Sequence, residues 1–444
     1  MRWRRSWRNP ALALLGAAAV AGVAIGFTVG GGDGGSTASS QPTSAGTSSV
    51  AATQTTVPGT TPSSTSPATT GPAGVPSHIP QPRPLNHKLL VGTADDALKQ
   101  ADPRVATRLM RVAHASGFDA VLVSSMWTPG RTRPNAAERA ALANVVGAAG
   151  LQGMRAFVFV WHGLNGTTPR TPRARSQFAA YSASIVRALP QIRDVVVGNE
   201  PNLNTFWMPQ FGPGGSDAAA KAYLALLAET YDALKAVSPK IQVIGGGLAP
   251  RGSDRPGLKR DTHSPTQFIL DLGAAYKASG RTKPIMDAFA VHPYMRTSKL
   301  PPTDTHAASK TITIGDYAKL AFLLKTAFAG THQHGAGLPV YYTEFGVQTK
   351  VPQAHRRAYT DLRSPAGLDA VDPATQARYY RQALSLAACQ PTVKGLFVFH
   401  TFDEPDLAGW QSGLYYADEK PKPSLGAFRT AAADARASRL TRCG

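Results

Sequence analysis

Apolar runs of strand length alternate with helical segments along the chain from about residue 85 onward. Each run is three to five residues long, as expected for strands that are buried on both faces of a parallel sheet. A loop and then a segment with a helical period follow each run. The pattern predicts eight β-strands, at Leu89–Val91, Ala120–Val123, Ala156–Val160, Val195–Val197, Ile241–Ile244, Ala288–Val291, Val340–Tyr342 and Leu396–Phe399.

Several helices between these strands have clear start signals. Asp102-Pro103 and Asp372-Pro373 each combine an N-cap aspartate with proline at the first helical position. Asn135, with Glu138 three residues later, is a variant of the capping box. These signals place helices after the first, second and seventh strands.

The alternation of strands and helices predicts an α/β fold, and eight such units fit a (β/α)8 TIM barrel over residues 85–444. A doubly wound open sheet has the same alternation, but it needs a Gly-rich phosphate-binding turn after the first strand. The turn there reads Gly92-Thr93-Ala94-Asp95-Asp96, which is not of that kind. The sequence therefore predicts the closed barrel.

Residues 1–84 have the pattern of a leader and a linker. Residues 1–29 combine four arginines with an uncharged apolar stretch, and they predict a signal peptide or, if retained, an N-terminal membrane anchor. Residues 30–84 are rich in Gly, Ser, Thr and Pro and predict a disordered linker, because they bury too little apolar surface to offset their ordering entropy. We therefore expect the barrel to be secreted, or tethered to the outer face of the membrane through residues 11–29.

The formal net charge of +20 favours acidic partners. The basic residues are scattered singly and no nucleic-acid-binding module is recognisable, so we expect a solvated basic surface and no nucleic-acid partner. The two cysteines, Cys389 and Cys443, either form a disulfide or remain as inert thiols. His332 and His334 have no carboxylate close in the sequence, which argues against a metal site there. A monomer without metal or organic cofactor is expected.

Two of the predicted strands deliver a glutamate to their C-terminal ends. The fourth strand runs into Gly-Asn-Glu-Pro, and Pro201 cannot continue the strand ladder, so the strand stops next to Glu200. Glu344 follows the seventh strand in the same way. Strands four and seven stand on opposite sides of an eight-strand barrel, whose C-terminal face holds the active site. We therefore expect the two carboxylates to approach to roughly 5 Å, the separation typical of glycosidic cleavage with retention of configuration.

Aromatic and histidine side chains occupy other predicted strand ends. All four tryptophans outside the leader lie at a strand end or in the loop just beyond one. Ring faces stack on the C–H surfaces of sugars, whose hydroxyl groups need polar partners. The expected substrate contacts of this kind are Trp127, Trp161, His162, Trp207, His400 and Trp410. Asp403 and Glu404 are expected to line the rim or to pair with arginine.

These motifs resemble those of the large clan of retaining (β/α)8 glycoside hydrolases. Asn199-Glu200-Pro201 after the fourth strand and Thr343-Glu344-Phe345-Gly346 at the seventh are similar to the clan's two catalytic motifs, with families 5 and 39 the most similar. His292-Pro293-Tyr294 at the sixth strand matches its His-x-Tyr, and residues 412–428 resemble its C-terminal ending. The resemblance covers residues 89–428.

The resemblance implies a role for each matching residue. Glu200 is implied to be the general acid/base and Glu344 the nucleophile. Asn199 is implied to bind the 2-hydroxyl group beside the scissile bond, Tyr294 to hydrogen-bond the nucleophile, and His292 to orient the carboxylates. The chain departs from the clan at strand eight, where His400 and Phe402 stand near the place of a tryptophan under the sugar.

The sequence thus predicts a retaining glycoside hydrolase that acts on an extracellular poly- or oligosaccharide by double displacement. A transglycosylase is an alternative, because only access of an acceptor sugar separates transfer from hydrolysis. A non-catalytic carbohydrate-binding protein on the same barrel is another, although the usual mark of such a protein is the loss of one carboxylate. A basic protein that binds a wall or membrane would need its charge on one face.

Overall fold

The computed structural model describes residues 88–257, 260–361 and 369–440. In this part of the chain, parallel strands close into a barrel in sequence order, and the first strand is hydrogen-bonded to the last. The strands are β1 (Leu90–Ala94), β2 (Ala120–Met126), β3 (Arg155–Trp161), β4 (Asp194–Val197), β5 (Gln242–Leu248), β6 (Ala288–Val291), β7 (Val340–Phe345) and β8 (Val393–Val398). The predicted closed barrel is confirmed, and the open doubly wound sheet is excluded.

One α-helix follows each strand. The helices are α1 (Pro103–Ala115), α2 (Ala136–Leu151), α3 (Pro172–Ala188), α4 (Ala218–Val237), α5 (Pro265–Ala278), α6 (Tyr317–Ala327), α7 (Pro373–Cys389) and α8 (Leu425–Arg436). Short 3-10 segments lie at Asp96–Leu98, Asn165–Thr167, Pro213–Gly215, Ile314–Asp316 and Gln353–Ala358. The predicted caps are present, since the side chains of Asp102, Asn135 and Asp372 accept from backbone N–H groups of the helices that they begin.

Successive strand residues bury their side chains on opposite sides of the barrel wall. In β3, Phe157 and Phe159 point into an inner cluster, whereas Val158 and Val160 pack against the surrounding helices. Gly92 of β1 faces Phe397, and a Cβ atom at Gly92 would lie 2.3 Å from the Phe397 ring. The barrel interior is therefore filled with side chains, and a ligand site is left only at its ends.

The predicted leader (1–29), its proposed tether (11–29) and the linker (30–84) lie outside the described residues. Within the described ranges, each helix is too short or too polar to cross a bilayer. Cys389 at the end of α7 is disulfide-bonded, while Cys443 lies outside the described residues.

Candidate active site

The turn after β4 positions Glu200. Gly198 has a φ of 81°, and a Cβ atom there would lie 2.9 Å from the ring of Tyr223 in α4. The Tyr223 hydroxyl donates to Val197 O at 2.7 Å and accepts from Gly246 N at 2.8 Å, so it joins the ends of β4 and β5. Glu200 has a positive φ of 36°, and its N–H donates to Gly247 O at 2.9 Å. Non-glycine residues with such a backbone concentrate at functional sites.

Asn202 fixes the chain that follows Glu200. Its side chain is fully buried, donates to Ala249 O and His263 O, and accepts from Ala249 N at 3.0 Å. The second asparagine of Asn-Glu-Pro-Asn therefore has a structural role, because it ties the loop after β4 to the loop after β5.

Glu200 and Glu344 meet through the imidazole ring of His292, which follows β6. His292 Nδ1 lies 3.0 Å from Glu200 Oε1 and 3.5 Å from Glu344 Oε2. These two carboxylate oxygens are therefore separated by at most about 6.5 Å, the sum of the two distances. The Tyr294 hydroxyl donates to Glu344 Oε2 at 3.0 Å. The structure thus brings together four of the residues that the sequence singled out, with the contacts that the resemblance implied for Tyr294 and His292.

Burial and mutual charge set the protonation of this group. Burial raises the pKa of Glu344 to about 7, and the charge of Glu200 adds to the increase, whereas His292 and the Tyr294 hydroxyl oppose it. Burial by itself lowers the pKa of His292, but the attraction of both carboxylates outweighs it and the pKa is raised. The cluster therefore holds protons that can move near neutral pH, as acid–base chemistry requires.

The raised pKa of Glu344 predicts a pH-dependent cost in stability. Below its ordinary value of 4.5, Glu344 is protonated in both the folded and the unfolded chain. As the pH rises from 4.5 to about 7, the unfolded chain ionises first, and stability is lost up to about 3 kcal/mol at 1.36 kcal/mol per pK unit. We expect Glu344→Gln to have the higher free energy of unfolding in urea at pH 8 and to equal the wild type at pH 4. A difference that is the same at both pH values would contradict this origin.

Several buried polar atoms at the strand ends have no hydrogen-bond partner among the described residues. They include Asn199 Oδ1, Trp161 Nε1, His162 Nδ1, Thr343 Oγ1, His400 Nδ1 and Trp410 Nε1. Buried polar atoms are ordinarily paired, so such a group is suited to a ligand that is rich in hydroxyl groups. Burial lowers the pKa of His400 to about 3, which keeps its imidazole neutral.

Trp410, in the loop after β8, supplies an aromatic surface at the site. Its ring centroid lies 4.9 Å from that of Tyr294 and 5.6 Å from that of Phe399, and all three belong to the inner cluster. The backbone N–H of Trp410 donates to the Glu404 carboxylate at 2.8 Å. Phe402, by contrast, packs against Tyr415 among the apolar side chains between the barrel and its helices. Trp161 stacks on Phe159 within the inner cluster.

The structure corrects two predicted substrate contacts. Trp127 and Trp207 are fully buried between the barrel and its helices, where they pack edge-on against Phe178 and Tyr223. Trp127 Nε1 is already used, because it donates to Arg131 O at 2.8 Å. A tryptophan side chain at a strand end can point outward, beneath the helices, or inward, into the barrel. Its position in the sequence does not distinguish these two orientations. His162 lies against Trp207, and burial lowers its pKa to about 4.

Arg251, after β5, is a site residue that the sequence analysis missed. Its guanidinium donates to Tyr294 O at 3.3 Å. Burial lowers the pKa of Arg251 to about 10, with the attraction of Glu200 opposing the shift and the repulsion of Arg296 adding to it. The sequence feature that could have identified it is an arginine three residues after the end of β5.

Outside the group around His292, the side chains of Asp217, His263 and Asp271 form a cluster that could hold a metal ion.

Three solved structures with a similar fold are glycoside hydrolases. A GH5_18 enzyme from Streptomyces cattleya in complex with GlcNAc has a TM-score of 0.51 at 18% identity, with 79% of this chain and 81% of that chain covered. A variant of the same enzyme in complex with Manβ1-4GlcNAc has a TM-score of 0.52 at 17% identity, with 78% and 81% covered. The GH39 enzyme from Xanthomonas axonopodis pv. citri has a TM-score of 0.49 at 17% identity, with 80% and 68% covered.

Sequence comparison adds nothing to these similarities, because no protein-family model and no curated protein matches the chain. At such low identity a structural similarity shows the fold and not the activity. Structural neighbours of this chain thus include glycoside hydrolases, and it shares the (β/α)8 barrel of the family 5 enzyme.

Proposed function

We propose that this chain is a retaining glycoside hydrolase in which Glu200 and Glu344 are the catalytic residues. The observation that carries the proposal is that both carboxylates lie against one nitrogen of His292, at 3.0 and 3.5 Å. An upper limit of about 6.5 Å between the two oxygens leaves little room for a water molecule between carboxylate and sugar. Inverting enzymes need roughly 6.5–9.5 Å for that water, whereas retaining enzymes need about 5–5.5 Å.

The reaction is a double displacement. In the first step a Glu344 oxygen attacks the anomeric carbon, the C–O bond to the leaving group breaks, and Glu200 gives its proton to the departing oxygen. In the second step Glu200 takes a proton from water, the water oxygen attacks the anomeric carbon, and the bond to Glu344 breaks. The sugar is released with its original configuration.

Two observations favour opposite assignments of acid and nucleophile. The hydrogen bond from Tyr294 stabilises an ionised Glu344, which suits a nucleophile. The pKa of Glu344, raised to about 7 by burial, suits an acid that keeps its proton. We assign Glu344 as nucleophile because the Tyr294 hydroxyl contacts it directly, whereas a bound sugar would change the surroundings that set the pKa.

The proposed substrate is a poly- or oligosaccharide outside the cell. Support comes from the apolar stretch and the polar linker that precede the barrel in the sequence, and from the Trp410, Tyr294 and Phe399 rings beside the carboxylates. Trp161, Asn199 and His400 offer polar atoms for hydroxyl groups.

The configuration of the first product tests the proposal. The chain is incubated with a panel of aryl glycosides and polysaccharides, and the anomeric proton is followed by NMR before mutarotation. We expect the first sugar released to have the configuration of the substrate. An inverted first product would contradict double displacement. Products longer than the substrate would indicate a transglycosylase, and binding of a glycan without turnover would indicate a carbohydrate-binding protein.

A further inference from the structure

A second cluster of ionisable side chains lies beside the loop that carries Glu200. Asp217 is the N-cap residue of α4, His263 stands just before α5, and Asp271 lies within α5. One potential ligand atom from each of the three lies within 4.8 Å of the other two. Asp254 is adjacent, with its Oδ1 at 3.9 Å from His263 Nδ1.

Two buried atoms of this cluster have no hydrogen-bond partner among the described residues. Asp217 Oδ1 accepts from Ala220 N at 2.7 Å, but Oδ2 accepts from no described group although the side chain is only 4% exposed. His263 is 2% exposed, and its Nε2 donates to Gln210 O at 3.0 Å. That bond leaves the lone pair on Nδ1, which is also unpartnered. An unpaired buried carboxylate oxygen is costly, so these atoms indicate a missing electron-pair acceptor.

The cluster also has more negative than positive charge. Lys310 pairs with Asp254 Oδ2 at 3.0 Å, and Gln267 donates to Asp271. Within the described ranges, the only ion-pair partner of Asp217 is the imidazole of His263, whose Nε2 lies 3.4 Å from Asp217 Oδ1. The buried Asp316 offers a contrast, because it has both His306 at 2.9 Å and Lys319 at 3.7 Å.

We propose that Asp217, His263 and Asp271 bind one divalent transition-metal cation of the Zn²⁺ or Mn²⁺ class. One imidazole nitrogen with two carboxylates is a common donor set for such ions, whereas Ca²⁺ and Mg²⁺ prefer oxygen ligands alone. The bond from His263 Nε2 to a backbone carbonyl is the contact that ordinarily orients a metal-binding histidine. The sequence analysis predicted no metal site because these residues are 46 and 8 positions apart and lie on different elements.

The cation would stabilise the loop that carries Glu200. His263 N donates to Asn202 O at 2.9 Å, and Gln210 Nε2 donates to Pro201 O at 3.0 Å. Both residues after Glu200 are therefore bonded to residues at the cluster. A metal that joins the loop after β4 to α5 would resist local opening of this loop, which is a positioning role and not a catalytic one.

Metal binding to the purified, tag-free chain tests the proposal without reference to activity. The EDTA-treated protein is titrated with ZnCl₂, MnCl₂ and CaCl₂ by calorimetry, and thermal unfolding is recorded with each. We expect one equivalent of Zn²⁺ or Mn²⁺ to bind and to raise Tm by about 5 °C at saturation, with weaker binding of Ca²⁺. In Asp271→Asn and in His263→Gln, the affinity should fall about 100-fold and the Tm shift should vanish.

His306→Gln is the matched control, since it alters another His–Asp pair, whose aspartate is buried and already has a lysine. It should bind the metal as the wild type does. Asp271 makes its described side-chain hydrogen bonds only with Gln267, so Asp271→Asn retains the test if His263→Gln fails to fold. Absence of stoichiometric binding in the wild type, unchanged binding in Asp271→Asn, or a preference for Ca²⁺ would each overturn the proposal.

Discussion

Glu344→Gly is expected to lower the rate of glycoside hydrolysis by about 10⁴–10⁶-fold, because it removes the atom that attacks the anomeric carbon. Azide should restore turnover, since the small anion fits the space vacated by the side chain and attacks from the same face. The product should be a glycosyl azide of inverted configuration, because only one displacement has then occurred. NMR of the product from an aryl glycoside with a good leaving group measures this outcome.

Glu200→Ala should behave differently with the same substrate. A good leaving group departs without an acid, so the first step remains fast, and the glycosyl ester accumulates because no base activates water. Azide needs no base, and its product should retain the configuration of the substrate. With a poor leaving group, the loss in rate should be about 10²–10⁴-fold.

Glu229→Gln is the control, because Glu229 pairs with Arg175 on the outer helices and should leave the rate unchanged. If azide gives the inverted product with Glu200→Ala and the retained product with Glu344→Gly, the two roles are exchanged, as the raised pKa of Glu344 suggests. Substantial hydrolysis by both variants without azide would refute catalysis by this pair.

The local pattern of the sequence was enough to predict the fold. Buried parallel strands are short apolar runs, and helix starts are marked within three residues, so both signals lie within one window of the chain. Glu200 and Glu344 could be placed because the barrel brings all strand ends to one face. Because the barrel is regular, two local sequence signals were enough to predict one contact between distant parts of the chain.

The predictions that were wrong or missing concern the end of a strand and the contact partner of a side chain. Neither can be read from a local sequence pattern. The predicted fifth strand stopped at Ile244, because the glycines at 245–247 resemble a loop, but β5 continues to Leu248 with a register shift. The end of this strand was therefore misplaced and Arg251 was overlooked. Asp403 was expected to line the rim or to pair with arginine, yet its partner is Lys422, which lies beyond the loop that carries Trp410.

Lys422 and Asp403 form a fully buried ion pair behind the candidate site. Both side chains are 0% exposed, and Lys422 Nζ lies 2.7 Å from Asp403 Oδ1. The ammonium group also donates to Thr349 Oγ1 and Gln411 O, so it connects the loops after β7 and β8. Burial lowers the pKa of Lys422 and raises that of Asp403, because each charged form has lost its hydration. Each charge therefore depends on the other to offset part of its lost hydration, and removal of one leaves the other without compensation.

Lys422→Met is expected to lower the free energy of unfolding by about 3–5 kcal/mol, because it leaves Asp403 buried without a counter-charge. Tm should fall by about 10 °C, and urea unfolding monitored by circular dichroism measures the change. Adding Asp403→Asn to this variant should recover most of the loss, since it removes the unpaired charge and keeps an oxygen that can accept from Gly413 N.

Arg108→Met is the matched control for an exposed pair. Arg108 and Glu419 form a two-point contact with side chains that are 50% and 45% exposed, and its loss should cost less than about 1 kcal/mol. Burial, and not the presence of an ion pair, would then account for the difference between the two variants. A similar cost for Lys422→Met and Arg108→Met, or a double variant less stable than Lys422→Met alone, would show that the buried charge is not the cause.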